Sequence, residues 1–159
     1  TRSGDIDPAV SLHLARTAGM TIDEVDNLLN RRSGMLGLTG YSDMRDVHKA
    51  AQEGSHDAQL GLEVYCRRIR GYVGQYYAQL GHLDAITFTA GVGENDSVVR
   101  ERSLAGLTEL GIEIDSERNA VRSREARLIS TDSSRVHVWV VPTNEEREIA
   151  IQAVAAATR

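Results

Sequence analysis

The chain has 159 residues, 41% apolar and 26% charged, with a net charge of -5. These are proportions of a globular domain with a real core, and the lack of a basic excess argues against a general nucleic-acid binder. The single cysteine, Cys66, excludes an internal disulfide framework or thiolate cluster and suits a reducing cytoplasm, and no apolar run reaches the roughly 20 residues that span a bilayer.

In chain order, Asp7 followed by Pro8 predicts a helix start, with the helix running to about Thr17 and stopping at Gly19. Thr21 and Glu24 stand at capping-box spacing and predict a second helix, with Val25, Leu28 and Leu29 on one face, ending near Ser33 and Gly34. Residues 35–40, punctuated by Gly34, Gly37 and Gly40, read as a loop or short turn. The next segment enters a helix that lasts to about Glu53, with Gly54 as its stop. The longest helix runs from about His56 to Leu80, and Gly81 ends it. There Leu62, Tyr65, Ile69, Tyr72, Val73, Tyr76 and Leu80 step by threes and fours as one buried stripe. Gly61, Gly71 and Gly74 inside it point to close helix contact, for which a subunit interface is one candidate.

Residues 83–89 read as an apolar strand that runs into Gly91 and Gly93, which allow positive φ and close approach to a ligand. Asn95 or Asp96 is the expected N-cap of a following helix that carries Val99, Leu104, Leu107 and Leu110 and stops at Gly111. Residues 112–114 and 128–130 read as short strands, and the charged stretch 115–125 as an exposed loop. Residues 136–141 are the clearest strand, ended by Pro142; Thr143 and Glu146 then stand at capping-box spacing for a last helix towards Ala157. The order predicts an α/β fold with parallel strands and right-handed crossovers. Two strong strands are few for a free-standing sheet, so the expectation is one partial domain over residues 1–159, with further strands upstream.

Four polar clusters are candidates for chemistry. Arg2, in a polar stretch, is either a solvated terminal arginine or a guanidinium clamp for phosphate. Asp43, Met44 and Arg45 stand at a helix entry, where a cap and surface charge compete with a contact to the base or ribose of a nucleotide. Gly91, Val92, Gly93, Glu94 and Asn95 follow a strand and open a helix, an arrangement suited to phosphate. Asn144, Glu145 and Glu146 either cap the last helix or let Glu145 reach a magnesium ion, directly or through its water. If the two strands are parallel, the last two clusters share the carboxyl edge of the sheet, where open α/β folds bind ligands. The five histidines show no metal spacing, and Cys66 has no adjacent His or Asp to activate it.

The segments Thr1-Arg2-Ser3-Gly4-Asp5-Ile6-Asp7-Pro8, Ser42-Asp43-Met44-Arg45-Asp46-Val47, Phe88-Thr89-Ala90-Gly91-Val92-Gly93-Glu94-Asn95 and Pro142-Thr143-Asn144-Glu145-Glu146 occur in this order. Together they resemble the C-terminal part of acetate kinase, with the N-terminal half of that family absent. The resemblance implies a ribonuclease-H-like domain of the actin, Hsp70 and sugar kinase superfamily, helix-rich with a small partly parallel sheet. It implies reversible phosphoryl transfer between ATP and acetate, giving acetyl phosphate and ADP, with Mg2+, in a cytoplasmic homodimer that binds neither nucleic acid nor membrane. By position, Arg2 matches the transition-state arginine, and Asp43, Met44 and Arg45 match a nucleotide-contacting segment. Gly91, Val92, Gly93, Glu94 and Asn95 match the adenosine-side loop, where Val92 replaces a common isoleucine, and Glu145 matches the magnesium carboxylate. The isolated chain is expected to be inactive. The alternatives are a propionate or butyrate kinase or, for the isolated chain, a dimerisation or nucleotide-binding module.

Overall fold

A computed structural model describes residues 1–157. The chain divides into two compact units, Thr1–Arg67 and Arg68–Arg159.

The first unit is helical. Helix α1, Ala9–Thr17, begins where the Asp7 carboxylate accepts the Ala9 N–H at 2.8 Å. Helix α2, Ile22–Arg31, carries the predicted capping box: Glu24 N–H donates to Thr21 Oγ1, and Thr21 N–H donates back to Glu24 Oε2 at 2.8 Å. The segment expected to be a turn is instead helix α3, Gly34–Thr39. Its outer glycines do not interrupt it: Gly34 enters with φ +59° and Gly40 closes it with φ +79°, so both serve the ends. Helix α4, Met44–Gln52, starts at Asp43, whose carboxylate accepts the Arg45 N–H at 2.8 Å.

Helix α5, His56–Leu80, has the predicted bounds and continues from the first unit into the second. In the first unit its Ala58 and Leu62 join Val47 and Ala50 of α4 in a small buried core, with Met35, Met44 and Ala51 packed against it. A Cβ on Gly61 would overlap Thr39 Cγ2, so this glycine serves contact between α3 and α5 within the chain. Around Gly71 and Gly74 there is open space. The predicted buried stripe does not extend along the whole helix. Tyr76 and Leu80 are 56% and 62% exposed, and the rings of Tyr72 and Tyr76 stack at 6.2 Å between centroids. Periodicity marks an apolar face; it does not supply what covers it. Gly61→Ala is expected to cost about 1–3 kcal/mol through overpacking. Gly71→Ala is expected to add about 0.5–1 kcal/mol by removing glycine from an open helix interior. Opposite shifts of the thermal midpoint, followed by circular dichroism, check the pair.

The second unit holds a three-stranded sheet of order β1-β3-β2, with β1 at Ala85–Phe88, β2 at Arg127–Leu128 and β3 at His137–Val140. Strands β1 and β3 are parallel, as expected, pairing Ile86 with Val138 and Phe88 with Val140, while β2 is antiparallel to β3. Alternation along β3 buries Val136, Val138 and Val140 on one face, where Phe88, Leu104, Ile112 and Ile129 complete the core.

Between the strands lie α6, Ala90–Asn95, α7, Ser97–Leu104, a 3-10 turn at Thr108–Leu110, and α8, Ser116–Ala120; α9, Glu145–Ala157, follows β3. Helix α7 thus ends before Leu107 and Leu110, which still pack on the core. The charged stretch expected to be a loop contains α8, because Asp115 Oδ1 accepts the N–H groups of Glu117 and Arg118 and Asn119 is buried. Residues 112–114 contribute one bridge, Ile114 with Ser130, rather than a strand.

Candidate functional site

The carboxyl ends of β1 and β3 lie side by side, and Val141 N–H extends the pairing by donating to the Phe88 carbonyl at 2.9 Å. The two chain segments that leave them therefore start at one sheet edge. After β1 the chain turns through Thr89 into α6, and the left-handed conformation falls on Ala90, at φ +60°. The positive φ that Gly91 and Gly93 allow is used by neither of them. Left-handed backbone costs an alanine about 1–2 kcal/mol, the kind of strain that persists where surrounding structure holds it. Gly93 is needed for closeness instead, since a Cβ there would stand 3.3 Å from the Phe88 carbonyl carbon. Gly91 faces open space. Asn95 Nδ2 donates to the Gly91 carbonyl at 2.9 Å and closes α6. Asp96, one of the two predicted caps, receives the Val99 N–H at 3.0 Å and starts α7.

After β3, Thr143 is engaged with α6. Its N–H and its Oγ1 both donate to Glu94 Oε1, at 2.9 and 3.0 Å. The Thr143 N–H is the main cause that lowers the Glu94 pKa from the ordinary carboxylate value; desolvation opposes it, and the Thr143 hydroxyl, the Ala90 N–H and the nearby Arg127 charge add to the lowering. The predicted capping box of Thr143 and Glu146 is therefore replaced: Asn144 Oδ1 receives the Arg147 N–H at 3.0 Å and caps α9.

Glu94 and Thr143 thus tie two lips of one cleft. The cleft has a volume of about 400 Å³ and is lined by Ala90, Gly91, Thr143, Asn144, Glu145 and Glu146. Gly91 and Glu145 line it together. Glu94 forms its tie, while Val92 and Asn95 belong to the helix behind. On the α6 side the cleft is lined by Ala90 and Gly91 of the first turn, where the Ala90 N–H is taken by the Glu94 carboxylate and the Gly91 N–H has no preceding helical carbonyl to meet. The rim is acidic, lined by Glu145 and Glu146 of the first turn of α9. Such a rim repels a bare phosphate and accepts one accompanied by a divalent cation. Among the described residues no three His, Cys, Asp or Glu side chains are grouped to hold a metal by themselves. Exposed carboxylates at the edge of a cleft of this size fit magnesium, which keeps most of its waters and takes one or two carboxylates plus substrate phosphates.

The other candidates lie in the first unit. Arg2 has an exposed side chain on a fixed backbone: Ser33 N–H donates to the Thr1 carbonyl at 2.9 Å, and Ser3 N–H donates to the Leu29 carbonyl at 2.8 Å. Arg45 and Asp43 pair with each other. Nη2 donates to Asp43 Oδ2 at 2.6 Å and Nε to Oδ1 at 3.0 Å, with the arginine side chain 89% exposed. Met44 packs against the α4–α5 core. Hydrogen bonding from Arg45 holds the Asp43 carboxyl at about 2. Because that pKa is depressed, the pair is intact above the ordinary carboxylate range and is lost as pH falls towards 2. A carbon-13 titration is expected to find Asp43 near this value, and Arg45→Gln to return it towards 3.8.

Sequence reasoning missed Ala90 as the strained residue and Thr143 as the partner of Glu94. The only signal for Thr143 was its place at the end of a strand parallel to β1.

The profile of the Acetokinase family matches residues 1–151. The acetate kinase of Clavibacter sepedonicus is 60% identical over 156 residues, 98% of this chain and 39% of that protein. That of Streptomyces avermitilis is 56% identical over 155 residues, 98% of this chain and 38% of that protein. The crystal structure of Porphyromonas gingivalis acetate kinase superposes with a TM-score of 0.90 at 39% identity, covering 98% of this chain and 39% of that one. A propionate kinase from Francisella tularensis superposes with a TM-score of 0.84 at 36% identity, covering 92% and 37%. The chain thus spans about two-fifths of the length of these relatives. Among the described residues no helix is long and apolar enough to cross a membrane.

Proposed function

From the premise that this chain belongs to the acetokinase family and has the α/β fold of its solved members, we propose that it is the nucleotide-side portion of an ATP-dependent acetate kinase. The observation that carries this reading is the cleft in which the backbone at Gly91 and the carboxylate of Glu145 share one sheet edge, tied by Glu94 and Thr143.

In the reaction, a carboxylate oxygen of acetate attacks the γ-phosphorus of ATP. The bond from that phosphorus to the ADP oxygen breaks, and ADP leaves with the electron pair. No proton need move, so catalysis rests on positioning and charge neutralisation. Gly91, Val92, Gly93, Glu94 and Asn95 form the adenosine-side wall, with Gly91 allowing close approach and Glu94 holding the wall to Thr143. Asp43, Met44 and Arg45 supply further nucleotide contacts, for which Arg45 exchanges its Asp43 partner. Glu145 would hold the magnesium ion that accompanies the nucleotide, directly or through its water, and the charge of that ion would screen the phosphates. Arg2 neutralises the equatorial oxygens of the phosphoryl group in flight. The enzyme is cytoplasmic and a homodimer, and the exposed face of α5 around Tyr72, Tyr76 and Leu80 supplies apolar surface for the second copy.

A hydroxamate assay on the full-length protein tests the proposal. Acetyl phosphate formation with acetate is expected, and none by the 159-residue chain alone. The match to a propionate kinase favours a second reading on acyl length; faster turnover with propionate or butyrate than with acetate would select it.

A further inference from the structure

Arg100, on α7, is the largest fully buried side chain of the described residues, 1% exposed. A guanidinium in such a place is costly to desolvate, and a hydrophobic side chain would fill the same volume more cheaply. Its hydrogen bonds show what it holds. Nη1 donates to the carbonyls of Gly93 and Glu94, at 2.8 and 3.1 Å. Nε donates to Asn119 Oδ1 and Nη2 to the Asn119 carbonyl, each at 2.8 Å. Asn119, equally buried, is itself fixed by Nδ2 donating to the Ser97 carbonyl at 2.9 Å. The carbonyls of Gly93 and Glu94 belong to the last turn of α6. That turn has no following helical N–H to satisfy them and carries the negative end of the helix dipole. Arg127 Nη2 adds a longer bond to the Glu94 carbonyl, at 3.4 Å.

Glu94 is thus gripped on two sides. Arg100 holds its main chain from behind, and its carboxylate holds Thr143 across the cleft. We infer that Arg100, anchored by Asn119, is a positioning residue for nucleotide binding: it sets the end of α6, and through Glu94 the separation of the two lips that carry Gly91 and Glu145. This rests on the reading of the cleft as the nucleotide site. A planar fork satisfies four acceptors fixed on α6 and α8 at once, which an ammonium cannot do.

The test uses the full-length enzyme and the fluorescent nucleotide mant-ADP with magnesium. Arg100→Lys keeps the charge and loses the fork. It is expected to weaken mant-ADP binding and raise the KM for ATP by about tenfold or more, with kcat at saturating ATP within about threefold of wild type, because misplacing binding groups by a fraction of an ångström is costly. A variant that is merely less stable would lower the melting temperature without this split between KM and kcat. Asn119→Ala removes one acceptor and is expected to weaken binding by about threefold. If Arg100→Lys does not yield folded protein, Asn119→Ala decides. Wild-type affinity for mant-ADP in the folded variants overturns the positioning role alone. A wild-type enzyme that does not bind mant-ADP overturns the nucleotide reading of the cleft and the positioning role with it.

Discussion

In the full-length enzyme Arg2→Ala is expected to lower kcat by about 10³-fold, with the KM for ATP changed by no more than about threefold. The side chain is exposed and its backbone is pinned at both neighbours, by the Ser33 and Ser3 amide bonds. The base of the side chain is thus fixed in place while the guanidinium stays accessible to a charged group. In the proposed role its contact would strengthen as charge spreads onto the equatorial phosphoryl oxygens, so the loss is expected on the transition state rather than on nucleotide binding. Steady-state kinetics with the hydroxamate readout check the prediction; an unchanged kcat removes Arg2 from the reaction.

Gly34→Ala is expected to lower activity by about 10²-fold, roughly a tenth of the Arg2→Ala effect, without touching a substrate. Gly34 sits at φ +59°, which costs an L-residue about 1–2 kcal/mol. A Cβ there would also overlap the Arg2 carbonyl oxygen and stand 3.3 Å from the Arg2 nitrogen. The overlap can be relieved only by moving the segment that carries Arg2 or the start of α3, because both contacting atoms are backbone. Gly19 provides the control. It has φ +65° with nothing within 4 Å of the added Cβ, so Gly19→Ala carries the conformational cost alone. The two variants are expected to lose similar stability from left-handed backbone, with Gly34→Ala losing more. Only Gly34→Ala is expected to lose kcat, by about 10²-fold, as expected when a reacting group is displaced. Equal kcat for the two variants would separate the α2–α3 turn from the positioning of Arg2.

The features legible in the sequence were those written in neighbouring residues. The capping box at Thr21 and Glu24 closes within one turn, and α5 has a stop glycine, Gly81, directly after its last residue. The parallel pairing of β1 with β3 followed from helices lying between two apolar runs. What was not legible depended on partners far along the chain. Helix α8, although capped locally by Asp115, looked like a charged loop because the residue that packs it, Asn119, is held by Arg100, 19 residues earlier. Thr143 looked like a helix cap because Glu94, 49 residues earlier, could not be seen as its partner. The glycines of residues 34–40 suggested a turn, yet at the ends of α3 they supply the left-handed conformations that let a helix start and stop. In the candidate site, Gly91 and Glu145 could be placed on one edge from topology alone. The conformation of Ala90 and the grip of Arg100 on α6 are consequences of tertiary packing that no local pattern carries.

The most direct measurement is hydrogen exchange on the full-length enzyme with and without magnesium and ADP. Slower exchange is expected at residues 90–96 and 143–147, the two lips tied by Glu94 and Thr143. Saturating nucleotide that protects other segments and leaves both lips unchanged would contradict the assignment of this cleft to the nucleotide.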